Sequence, residues 1–174
     1  YEIKPVLRAL FLSDAFYAKS NRAALIKSPV ELLVGTARQF GIDGIDTRLF
    51  ALAGRQLGQD IFGPPNVKGW PGGEDWINST TLLARKQVMA RVFRAEEMPV
   101  AVRDGRMSAR LGPVAERPLF DPEHFFAAFS GDEAMRRAQA EKLVLATPAT
   151  QAFAGGGRVD FVRHLTLDPA YQLK

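Results

Sequence analysis

Apolar residues in this chain recur three and four positions apart along almost its whole length, and that spacing selects helices over strands. The clearest case is "SPVELLVGTARQFG", residues 28 to 41. Ser28 is placed to cap, Pro29 takes the first helical position, and Glu31 completes a Ser-x-x-Glu capping box. The wheel puts Val30, Leu33, Val34, Ala37 and Phe40 on one face and leaves Glu31 and Arg38 toward water. Gly41 ends the run.

Other segments follow the same rule. A first helix is predicted from Pro5 through "PVLRALFLSDAFYA". A third fits "DTRLFALAGRQLGQDIF", with Asp46 as cap and a stripe of Leu49, Phe50, Ala53, Leu57 and Ile61. Gly54 and Gly58 lie beside that stripe, and each costs about 1 kcal/mol relative to alanine. Close approach of another helix backbone would explain them. A fourth helix follows Asn78, which caps it, while Ile77 and Leu82 occupy the positions of a hydrophobic staple. Its apolar face is Leu82, Val88, Met89, Val92 and Phe93, and Arg85 falls inside that face. A guanidinium there needs partners, and Asp75 or the preceding loop's backbone is the natural one.

Residues 99 to 119 hold four arginines, three prolines and two glycines with no helical stripe, and read as an extended connector. Helices resume at "DPEHFFAAF" with Asp121 as cap, at about 132 to 146, and at "RVDFVRHLTL" after a glycine hinge at 154 to 157. The opening "LRALFLSDAFY" also aligns with the closing "VRHLTLDPAYQ", which suggests one helix-plus-turn unit used twice. The predicted fold is all-α: an irregular multi-helix bundle with a long Pro/Gly/Trp loop between helices three and four.

That length and composition suit one helical domain, residues 1 to 174. With no cysteine and only His124 and His164, disulfide scaffolds and cysteine- or histidine-rich metal sites are excluded, and no cofactor is implied. No apolar run approaches the roughly 18 residues of a membrane span. The net charge of +4 is small for a dedicated nucleic-acid binder. Arg103, Arg106, Arg110 and Arg117 are diluted by Asp104 and Glu116, with no aromatic residue among them to stack a base.

Three segments carry a family resemblance. "IKSPVELLVGTARQFG", "LGQDIFGPPNVKGWPGGEDWINSTTLLAR" and "LDPAYQLK" resemble blocks of a bacterial family numbered 1800 among the domains of unknown function, in its C-terminal part. The resemblance implies the last third of a longer protein that is exported, to the periplasm. Its partners would be the missing N-terminal portion and a sulfatase- or phosphatase-like protein encoded nearby. The start at Tyr1, with no signal-like segment, reads as a processed or truncated product. The resemblance supplies no catalytic residue.

The loop at 63 to 77 is the one candidate ligand site. Pro64 and Pro65 favour an extended backbone, Pro71 and Gly72 suit the centre of a type II turn, and Gly69 and Gly73 open backbone angles closed to other residues. With Asn66 and Asn78 they form a structural motif that gives Trp70 and Trp76 fixed directions beside Glu74 and Asp75. One reading is a stacking platform with two carboxylates and Arg85, suited to a sugar or a cation. The other is a clasp, with both indoles buried and their N–H groups bonded. Adjacent carboxylates make a poor glycosidase pair, and the loop lacks a P-loop's Gly-Lys-Ser/Thr ending. Ser13, Ser28, Ser79, Ser108 and Ser130 lack a nucleophile-elbow context. A non-catalytic helical interaction or structural module is the leading expectation; a ligand-binding or enzymatic module around the Trp70–Trp76 loop is the alternative.

Overall fold

The computed structural model describes residues 2–42, 47–94 and 120–174. Its helices are α1 (Ile3–Phe11), α2 (Pro29–Gln39), α3 (Thr47–Gln56), α4 (Ser79–Arg94), α5 (Pro122–Ala127), α6 (Glu133–Val144) and α7 (Arg158–Leu167). Short 3-10 turns cover Lys19–Asn21, Gly73–Trp76 and Pro169–Gln172. Among the described residues there is no strand, only an isolated antiparallel bridge between Ile26 and Leu173. The fold is all-α. The connector predicted at 99 to 119, its four arginines and the Asp46 cap lie outside the described residues.

Local chemistry sets the helix ends. Ser28 Oγ accepts from Glu31 N while the Glu31 carboxylate accepts from Ser28 N at 2.8 Å, so the capping box is formed. Gly41 adopts φ +59°, and Ile42 N reaches back to the Ala37 carbonyl. Asn78 Oδ1 accepts from Thr81 N and Thr81 Oγ1 from Asn78 N, both at 2.9 Å, which holds the start of α4. Asp121 caps α5 and Asp132 caps α6.

The core lies among α2 to α7. Helix α4 packs along α7, α2 against α3, and α6 against α7. A phenylalanine cluster fills one end: Phe40 stands edge-on to Phe93 at 5.0 Å and to Phe120 at 5.6 Å, with Phe125 beside it. Edge-to-face rings add about 0.5–1.5 kcal/mol per pair beyond their buried area.

Four expectations need correction. On α2 the inward face is Pro29, Leu32, Leu33, Thr36 and Phe40, while Val34 is exposed. Thr36 turns inward because its hydroxyl bonds the Leu32 carbonyl and Tyr171 Oη. Helix α3 stops at Gln56, so Gly58 (φ +97°) sits in the following turn and Ile61 faces water. Gly54 is crowded by its own chain, with the Gln59 carbonyl 3.1 Å from where a Cβ would sit. Helix α1 begins at Ile3 and ends at Phe11, and none of its residues is buried.

Candidate functional site

The Trp loop is a series of small turns. Asn66 Oδ1 accepts from Lys68 N at 2.8 Å and Gly69 N donates to the Asn66 carbonyl, with Gly69 at φ +88°. Pro64 and Pro65 are exposed. Gly72 is extended at φ −127°, so Pro71 and Gly72 do not form a type II turn; the positive φ falls on Gly73, which opens the 3-10 turn. Trp76 is buried and Trp70 half-buried, and the Trp70 Nε1 hydrogen is enclosed without an acceptor among the described residues. Glu74 and Asp75 point to solvent. Neither indole stacks on another described ring.

Arg85 is fully buried, but its partners differ from those predicted. Nη1 donates to the Lys27 carbonyl at 2.9 Å and to Gln172 Oε1 at 3.2 Å. Nε and Nη2 have no acceptor among the described residues, and no described carboxylate pairs with it. Asp75 lies out in solvent instead. Burial lowers the Arg85 pKa to about 10.

The Lys27 side chain completes this cluster. Its ammonium donates to the Tyr171 carbonyl at 2.8 Å and stands 3.8 Å from the centroid of the Tyr171 ring. Burial lowers it to about 8, against the attraction of Glu31 one turn along. Tyr171 Oη, shared with Thr36 Oγ1 at 2.7 Å and close to Gln39 Oε1, is pushed up to about 12 by burial. Backbone bonds run alongside: Lys27 N to the Gln172 carbonyl, and Lys174 N to the Leu25 carbonyl. Lys174 Nζ closes the edge on Glu31.

A family model described as "Protein of unknown function (DUF1800)" matches residues 1–173. The chain belongs to the DUF1800 family. No curated protein and no solved structure matches it. The three segments that resemble DUF1800 blocks are the ones that meet here: Lys27 from the first, Arg85 from the second, Tyr171 and Gln172 from the third. The motif therefore encodes a polar clasp that ties the closing residues to α2 and α4.

Sequence reasoning placed Arg85 inside the fold but missed Lys27, Thr36 and Tyr171. The signal was present in Lys27, a cation directly before a helix cap. The His124 backbone N–H donates to the Asp121 cap, and His164 Nε2 lies 2.9 Å from the Gln151 carbonyl. No described helix is long and apolar enough to cross a membrane.

Proposed function

We propose that this chain is a non-catalytic helical interaction module, one domain of a larger bacterial protein, with α1 as its docking element. The observation that carries this is the face of α1. Ile3, Val6, Leu7 and Leu10 follow helical spacing, yet their exposures are 67%, 66%, 43% and 47%. An isolated helix shorter than roughly 12 residues is marginal in water, and α1 has nine. Such a helix needs a surface to lie on.

The repeated unit says what kind of surface. After α7, Asp168 N bonds the Leu165 carbonyl and Tyr171 N the Asp168 carbonyl. After α1, Ser13 N bonds the Leu10 carbonyl and Phe16 N the Ser13 carbonyl, so the turn is the same. Val162, Leu165, Ala170 and Tyr171 are buried in the groove α7 occupies. Their counterparts Leu7, Leu10, Ala15 and Phe16 are exposed. The same unit is used once in the core and once on the surface, which favours a helical groove as the partner of α1. The family resemblance favours further helices of the same exported protein as the source of that groove, with a sulfatase- or phosphatase-like protein as a second partner.

The alternative at the Trp70–Trp76 loop has less support, because Trp76 is buried and Arg85 is engaged on Lys27. Sedimentation velocity tests the proposal. The chain associates as concentration rises, and Leu7→Glu with Leu10→Glu abolishes this while thermal stability holds. A wild-type chain that stays monomeric and binds no apolar dye, or a variant that unfolds, contradicts it.

A further inference from the structure

Beside the clasp, and independent of α1, an open cleft of about 470 Å³ runs between α2 and the end of α6. Small-molecule sites commonly fall between roughly 300 and 1,000 Å³. Its charged lining is Arg22, Lys27, Lys142 and Lys174 against the single carboxylate of Glu31. Glu31 is already engaged by Lys174 and by the Ser28 cap, and its pKa is lowered by those bonds. Arg22 and Lys142 also line an adjoining cleft, there together with the carboxylate of Glu141.

Three features go beyond a solvated basic face. Lys27 is half-buried, and a desolvated ammonium gains more from an anion than an exposed one does. Behind it Arg85 is fully buried with two unpaired N–H groups and no described carboxylate, which adds a fixed positive charge to the same region. Gly35 lies in the middle of α2 on the cleft wall, where glycine weakens a helix. A methyl placed on it would meet no atom within 4 Å, so packing does not require glycine there. Its bare backbone is exposed on that wall.

Hydrogen-bonding groups line the floor. Gln39 Nε2 bridges to the Leu143 carbonyl at 3.0 Å, and its Oε1 accepts from Tyr171 Oη. We propose that this cleft binds the oxyanion group of a small molecule, with Lys27, Lys142 and Arg22 as its cationic ligands. Phosphate and carboxylate share this chemistry.

The test is a chemical-shift titration of the labelled chain at pH 6.5 with inorganic phosphate and, separately, acetate, with chloride balancing ionic strength. Saturable shifts at Gly35, Gln39, Leu145 and Ala146 are expected with at least one of the two anions. Saturation by phosphate alone points to a phosphorylated ligand, and by acetate alone to a carboxylate. Arg22→Ala with Lys142→Ala weakens the response about tenfold. Gly35→Leu, which keeps every cation, blocks it without unfolding the chain. Linear shifts with both anions, saturation elsewhere, or indifference to both variants overturns the proposal.

Discussion

The guanidinium of Arg85 donates to the carbonyl of Lys27 at 2.9 Å, across 58 residues of chain, with no described carboxylate opposite either of its free N–H groups. It acts as a packing strut whose charge is a liability. Removing an unpaired buried charge while keeping its volume is often neutral or better. Arg85→Met is therefore expected to unfold within about 1 kcal/mol of wild type, whereas Arg85→Ala, which leaves a cavity, costs about 2–4 kcal/mol. Urea unfolding curves of both variants check this.

Lys27 gives a pH signature. Burial beside Tyr171 and Arg85 lowers its folded pKa to about 8 from 10.5, despite Glu31. Between those values the unfolded chain holds a proton that the folded chain has lost, so stability rises with pH through the window. Tyr171, pushed up to about 12, works in the opposite direction only above about pH 10. Melting temperatures from pH 7.5 to 10 should climb in the wild type relative to Lys27→Met.

Asp168 is a structural carboxylate. Burial alone would raise its pKa, but hydrogen bonds from Ala170 N, Thr150 N and Oγ1, and Gln151 N outweigh it and hold it below the ordinary range. Its contribution is present above the ordinary carboxylate value and is lost as pH falls through the folded one. Asp168→Ala leaves three N–H groups without their acceptor and is expected to cost about 2–3 kcal/mol at pH 7. Acid titration should show the variant losing less stability below pH 4 than the wild type.

Two helical glycines should respond differently. Gly35→Ala meets open space and is expected to stabilise the fold by about 0.5–1 kcal/mol. Gly54→Ala would bring a Cβ to 3.1 Å from the Gln59 carbonyl, whose residue is itself tied to the Gly54 carbonyl through its N–H at 2.8 Å, and should show no such gain. Denaturation midpoints of the pair decide it.

Much of the fold was legible because helix ends are written locally. Ser28 with Glu31, Asn78, Asp121 and Gly41 act on atoms a few residues away, and each was readable. The inward face of α2 was not: Thr36 is buried for Tyr171, 135 residues distant, and nothing nearby announces that bond. Arg85 was legible as buried, since periodicity placed it among Val88, Met89 and Val92. Its partners, the Lys27 carbonyl and Gln172 Oε1, are supplied by tertiary folding, which sequence pattern does not encode. Pro71 and Gly72 misled for a local reason, because the positive φ slipped one residue, to Gly73.

The central claim is that α1 is a docking helix without a partner among the described residues. Hydrogen exchange of the α1 amides, followed from low to high protein concentration, tests it most directly. The account predicts that α1 exchanges almost unprotected at low concentration while α4 and α7 resist, and that protection of α1 grows as the chain associates. Protection of α1 equal to that of α4 in the dilute monomer would contradict it.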